Sequence, residues 1–205
     1  MTWTAEDIQH WLKQFADKIN EHKDELTDLD QKIGDGDHGI NMARGVKEMN
    51  KLFDEKTFTT PGELFKAVAM VYIGKIGGAS GPLYGSAMMK MASAAGTQET
   101  LSDKELLDAL KAGKTAIEQR GKASVGEKTM VDVWVPLLQK FDGSDMDWNA
   151  FSDEADELKA KTKEMHAKKG RAAYLGARSV GHIDPGSASS ALFFQTLAAT
   201  ARERG

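Results

Sequence analysis

Apolar residues recur along this chain at helical spacing, and strand-like alternation is almost absent. Ile8, Trp11, Leu12, Phe15 and Ile19 fall on one face of a helix predicted from Thr4 to His22, with Thr4 as its cap. A second helix begins near Gly39 and turns Met42, Val46, Met49 and Phe53 inward. Thr60-Pro61-Gly62-Glu63 reads as a capping box with proline at the first helical position. It opens a third helix that carries Leu64, Val68, Val71 and Tyr72 to about Ile76. A fourth spans Pro82 to Ala95. Ser102 to Glu105 is another capping box, whose helix runs to about Arg120. The sixth covers Thr129 to Phe141, with Pro136 placed to kink it. The seventh runs from Asp147 to about Lys168, and the eighth follows the Asp184-Pro185 start signal to Arg202. The expectation is one all-α domain over residues 1–205, eight helices packed as a bundle or barrel, with no repeat and no second-domain boundary.

The segment that interrupts this pattern most sharply is LDQKIGDGDHGINMAR, Leu29 to Arg44. It holds Asp30, Asp35 and Asp37 among three glycines. Carboxylates this close repel one another unless a cation lies between them, and hard oxygen donors suit Mg²⁺, Mn²⁺ or Ca²⁺. Asp37 as a helix N-cap is the simpler alternative, but a cap leaves Asp30 and Asn41 unexplained. An EF-hand is excluded: the twelfth residue from Asp35 is Val46, and from Asp30 the third and fifth are Lys32 and Gly34.

Three other loops carry anion-binding features. GGASGP, Gly77 to Pro82, combines exposed backbone N–H groups with a following helix N-terminus. GKASVGEKT, Gly121 to Thr129, suggests a Walker A loop but fails, because Glu127 stands where the motif needs lysine and no strand precedes it. Its Lys122, Lys128 and Thr129 either reach phosphate oxygens or are solvated. KKGRAAYLGARSVGHIDPG, Lys168 to Gly186, holds Arg171 and Arg178, whose planar forks suit phosphate. Together the aspartates, glycine loops and arginines describe a metal–nucleotide site.

Composition narrows the alternatives. The 205 residues carry 27 basic and 31 acidic side chains, intermixed, without the basic stripe of a nucleic-acid binder. The absence of cysteine excludes thiolate metal sites and cysteine nucleophiles and fits a reducing cytoplasm. The first residues have no signal-peptide character, and the longest apolar run, Met130 to Leu138, is too short to cross a bilayer. No strong serine–histidine arrangement is visible.

IGDGDHGINMARG, GGASGPLYG, RGKASVGEKTMVDVWVP and KGRAAYLGARSVGHIDPG, in this order, closely resemble the ADP-binding L subunits of bacterial dihydroxyacetone kinases. The resemblance covers about Trp3 to Leu197. It implies an eight-helix antiparallel barrel with the nucleotide at one end, and two Mg²⁺ on Asp30, Asp35 and Asp37. It implies nucleotide contacts at His38, Gly39, Ile40 and Asn41, at Ala79 and Ser80, near Gly121 and Met130, at Arg171, and at Asp184, Pro185 and Gly186. Arg178 and Thr129 are added as neighbours of these contacts. The nucleotide, ADP or ATP, is then a resident cofactor. A phosphohistidine on an M subunit supplies the phosphoryl group, and dihydroxyacetone on a K subunit receives it. His38 is expected to hydrogen-bond within the site rather than to carry phosphate. An ATP-exchanging kinase domain and a regulatory binding module are the alternatives, and a homodimer is left open.

Overall fold

The computed structural model describes residues 1–205. Nine α-helices account for most of the chain: α1 (Ala5–Glu21), α2 (Lys23–Ile33), α3 (His38–Glu55), α4 (Pro61–Lys75), α5 (Ser80–Ala95), α6 (Asp103–Gly121), α7 (Val131–Lys140), α8 (Trp148–Lys161) and α9 (Pro185–Arg204). Eight of them close a ring. α1 packs on α3, α3 on α4, α4 on α5, α5 on α6, α6 on α7, α7 on α8, α8 on α9, and α9 returns to α1. The all-α expectation is met, with α2 as a ninth helix lying across α3 and α9.

The start signals work as their chemistry predicts. Thr4 accepts from the Asp7 N–H while Asp7 reaches back to the cap, and Ser102 and Glu105 do the same for α6. Thr60 caps α4 through the Glu63 N–H at 3.2 Å, but the expected capping box is not completed: the Glu63 carboxylate accepts from the Thr59 N–H and hydroxyl instead of the Thr60 N–H. Asp184 caps α9 through the Ser187 N–H at 2.7 Å. Each such bond satisfies an N–H that the helix itself cannot, for about 1 kcal/mol.

One continuous apolar core takes residues from every α-helix. Aromatic rings fill its centre around Phe193 of α9. Trp11 lies 4.7 Å from it, Phe15 5.2 Å and Trp134 5.4 Å, centroid to centroid. The buried indoles keep their hydrogen bonds, Trp11 to the Phe193 carbonyl and Trp134 to the Ser190 hydroxyl, each at 3.0 Å. α9 is buried on nearly every side through Leu197, Ala198 and Ala201, which is why its apolar residues show so little facial bias.

Three details differ from the sequence reading. α2 occupies a stretch expected to be non-helical; its stripe is short, with Leu26, Leu29 and Ile33 the only apolar residues, and it has no side-chain N-cap. α8 ends at Lys161, and Arg171–Ser179 winds into a 3₁₀ run broken at Gly176, whose φ is +56°. Two strands of three residues, β1 (Thr2–Thr4) and β2 (Thr100–Ser102), pair antiparallel with Trp3 opposite Leu101. They seal the ring at the start of α1 and α6.

Candidate functional site

At one end of the ring the loops surround a cleft of about 640 Å³. Its first wall is the α2–α3 junction. Asp30, in the last turn of α2, accepts the N–H groups of Asp37 at 2.8 Å and His38 at 3.0 Å on one carboxylate oxygen. The start of α3 is therefore capped by a residue from the preceding helix. Asp37 occupies the N-cap position of α3, yet its own carboxylate caps nothing. The capping explanation of Asp37 thus fails, and its carboxylate is left free. One oxygen each from Asp30, Asp35 and Asp37 lies within 4.8 Å of the others. Oxygens on opposite sides of a divalent cation bound at 2.1–2.4 Å sit about 4.2–4.8 Å apart. The donor set and its spacing fit a hard divalent cation.

The turn that builds this cluster requires glycine. A β-carbon at Gly34 would lie 2.0 Å from Asp30 Oδ1, and Gly36 has φ +75°. Gly78, with φ +64°, brings the α4–α5 loop against Asp37.

The second wall consists of the Gly121–Val131 loop, the start of α9 and the Lys169–Ala172 segment. α3, α5, α7 and α9 all begin at the cleft, since His38, Ser80, Val131 and Pro185 line it. Their N-terminal dipoles favour an anion there. α5 in particular has Ala79 as its N-cap and no side-chain cap. Asp132 braces the loop, accepting from the N–H groups of Gly126 at 2.5 Å and Thr129 at 2.8 Å. Ser187 donates to the Thr129 carbonyl at 2.8 Å. Arg171 reaches across to Asp35, Nε to Oδ2 at 3.0 Å, and joins the two walls. A small apolar cluster of Ile33, Ala167 and Ala172 seats the Arg171 segment on α2.

Of the residues expected at the site, Asp30, Asp35, Asp37, His38, Ala79, Ser80, Gly121, Thr129, Met130, Arg171, Asp184, Pro185 and Gly186 line the cleft. Gly39, Ile40, Asn41 and Arg178 do not. Gly39 is pressed against α2, where a β-carbon would meet the Lys23 carbonyl at 2.0 Å. Ile40 is exposed and faces Lys23 and Lys47 in a different groove. Asn41 is buried behind the glycine loop, against Gly77. Arg178 is exposed on the 3₁₀ run, away from the cleft. Successive helical residues point about 100° apart, so four in a row cannot share one face.

Sequence reasoning missed a buried polar network beneath the cleft. Ser80 Oγ lies 2.9 Å from His38 Nδ1, and Ser189 Oγ lies 2.9 Å from His38 Nε2. Tyr84 bonds Ser189 at 2.9 Å and Ser190 at 3.2 Å. His38 thus hydrogen-bonds within the site, as expected, here to two serines. The arrangement is not that of an activated nucleophile. Burial pushes the imidazole down to about 4, against the pull of Asp37, which makes it a poor base. No carboxylate orients its second nitrogen; a hydroxyl does. Burial likewise raises the Tyr84 hydroxyl to about 12 and the Asp184 carboxyl to about 7.

Lys128 departs from both readings offered for it. It borders the cleft but is buried and not solvated, and its ammonium is engaged by backbone carbonyls of Thr162, Met165 and His182.

Known proteins share this architecture and sequence. The DAK2 domain family matches residues 32–199. The PEP-dependent dihydroxyacetone kinase 1, ADP-binding subunit DhaL, of Listeria innocua is 46% identical over 200 residues, 98% of either chain. The PTS-dependent dihydroxyacetone kinase, ADP-binding subunit DhaL, of Lactococcus lactis is 48% identical over 194 residues, 95% of this chain and 96% of that one. The dihydroxyacetone kinase of C. freundii, solved with AMP-PNP and Mg²⁺, superposes with a TM-score of 0.74 at 23% identity. That superposition covers 96% of this chain but 33% of the larger protein, and shows the shared fold. No helix here is long and apolar enough to cross a membrane. From these matches, the chain belongs to the DAK2 domain family.

Proposed function

We propose that this chain is the nucleotide-holding subunit of a PEP-dependent dihydroxyacetone kinase, a single cytoplasmic domain that retains ADP or ATP with two Mg²⁺. In this reading it takes phosphate from a phosphohistidine-bearing M subunit and passes it to dihydroxyacetone held on a K subunit. The names of its similar relatives support the assignment. The observation that carries it is the free Asp37 carboxylate. A residue at a helix N-cap that caps nothing, with two more carboxylates within 4.8 Å, is arranged for a cation.

Asp30, Asp35 and Asp37 hold Mg²⁺. The α5 N-terminus at Ala79 and Ser80, the start of α9 at Asp184 to Gly186, and Arg171 surround the phosphates. Gly121, Thr129 and Met130 border the remainder of the nucleotide. Bound Mg²⁺ supplies charge neutralisation for phosphoryl transfer. The chain contributes position and electrostatics and no nucleophile, in keeping with a histidine held neutral between two hydroxyls.

Mass spectrometry of freshly purified, denatured protein tests this directly. Adenine nucleotide near one equivalent is expected, and Asp35→Asn or Asp37→Asn should abolish it. If no nucleotide copurifies and calorimetry detects no binding of ADP with Mg²⁺, the assignment is wrong.

A further inference from the structure

Lys128 is 1% exposed, and its backbone lies in the left-handed region at φ +62°. Its Nζ donates to the carbonyl of Thr162 at 2.7 Å, of Met165 at 3.2 Å and of Lys163 at 3.5 Å, and also to that of His182. Four oxygens thus surround a group with three protons. A neutral amine would turn its lone pair on one of those oxygens, so the cage selects the ammonium. Burial lowers the Lys128 pKa from its ordinary value, and the fields of Asp184, Glu164 and Asp132 only partly offset that, so the carbonyl oxygens are what hold the charge in place.

These carbonyls come from the two ends of one excursion of the chain. Thr162, Lys163 and Met165 follow α8, and His182 precedes α9. Other bonds gather at the same neck: the Gly181 N–H to the Lys163 carbonyl at 2.8 Å, and the Asp184 N–H to the Thr162 hydroxyl at 3.1 Å. The Lys168 N–H also returns to the Glu127 carbonyl at 3.1 Å, beside Lys128 itself. Arg171 sits on the excursion and Asp184 at its exit, both on the cleft.

We infer that Lys128 is a positioning residue whose ammonium serves as a tethered monovalent cation in a carbonyl cage, holding the Thr162–His182 segment closed so that Arg171 and the start of α9 face the cleft. Rings of backbone carbonyls bind K⁺ by replacing its hydration shell, and an ammonium group is of similar size. A lysine serving phosphate would project into the cleft, and a solvated one would be indifferent to its carbonyl neighbours. The link to nucleotide affinity rests on the function proposed above; the cage itself does not.

The full chain and its Lys128→Gly and Lys128→Met variants would be compared at equal ionic strength in Na⁺, K⁺ and methylammonium. The readouts are thermal midpoint and the Kd for ADP with Mg²⁺. The unaltered protein should give the same values in all three salts. Lys128→Gly should bind about tenfold more weakly or worse in Na⁺, and should regain most of that loss in K⁺ or methylammonium together with its thermal midpoint. Lys128→Met, whose stem fills the cage, should regain nothing. Should Lys128→Gly be unfolded in Na⁺, recovery of its circular dichroism in K⁺ or methylammonium is the same result. The inference is overturned if Lys128→Gly matches the unaltered protein in Na⁺, or is equally impaired in every salt. If the unaltered protein binds no nucleotide, the proposed function fails while the midpoints still decide the cage.

Discussion

The two walls of the cleft are held in place by opposite chemistry. On the first, a carboxylate gathers backbone N–H groups: Asp30 accepts from Asp37 and His38, seven and eight residues away. On the second, an ammonium gathers backbone carbonyls: Lys128 donates to Thr162 and His182, 34 and 54 residues away. One wall is built within a single turn of chain and the other by closing a long excursion. A local device can be altered with little effect beyond its own turn, whereas the remote one holds everything the excursion carries. The walls also bury titratable groups of opposite kind, and that contrast gives the largest measurable effect.

His38 belongs to the first wall and Asp184 to the second, and both are buried. The folded-state pKa of His38, about 4, lies below its ordinary 6.5, chiefly through burial. Its contribution is complete above pH 6.5 and is lost as pH falls toward 4. Asp184 runs the other way, since burial raises it from 3.8 to about 7. Its contribution is complete near pH 3.8 and is lost as pH rises toward 7. Each shift corresponds to about 3–4 kcal/mol across its window, so in the intact protein the two largely cancel. In metal-free protein, denaturant titrations from pH 4.5 to 7 should separate them. Relative to the unaltered chain, His38→Gln should gain stability as pH falls and Asp184→Asn should lose it. Parallel curves for all three proteins would remove the contrast.

The same division explains what could be read without a structure. The aspartate cluster was legible because its members are sequence neighbours and the intervening glycines announce a turn. Capping boxes and the Pro61 and Pro185 starts marked the ring helices, because a cap is also a local device. α2 left only a faint trace: Leu26, Leu29 and Ile33 stand at helical spacing, but no side-chain cap announces its start and it runs straight into the aspartate cluster. The role of Lys128 was invisible, because the carbonyls that define it lie far along the chain and every residue has a carbonyl. The family resemblance implies Ile40 and Asn41 as nucleotide contacts along with His38, whereas the helix turns each of them elsewhere.

A smaller effect sharpens the description of the first wall. Asp30 both caps α3 and offers an oxygen to the cluster, while Asp37 offers an oxygen and caps nothing. Asp30→Asn retains an oxygen for the two N–H groups, so metal-free stability should change by less than about 1 kcal/mol. Asp30→Ala orphans both and should cost about 1–2 kcal/mol. Asp37→Ala should cost the metal-free protein nothing comparable. All three should lose the rise in thermal midpoint produced by Mg²⁺ with ADP. Equal metal-free losses for Asp37→Ala and Asp30→Ala would show that capping is not divided between them in this way.

The Arg171–Asp35 pair is where the walls touch, and it should matter least to stability. The arginine side chain is 72% exposed and the aspartate 36%, so water and salt screen the attraction. Arg171→Ala should shift metal-free stability by less than about 0.5 kcal/mol, and less still in high salt. Its effect on ligands is more telling, because the guanidinium occupies the carboxylate that Mg²⁺ requires. Removing it frees Asp35 for the metal but takes a positive charge from the phosphate side of the cleft. Calorimetry should therefore find Mg²⁺ alone bound slightly more tightly by Arg171→Ala, and ADP with Mg²⁺ bound more weakly. A merely structural arginine would move both affinities in the same direction, because loosening the excursion weakens every ligand that depends on it. Opposite signs from one substitution would mean that the two walls compete for Asp35 until a nucleotide arrives to share it.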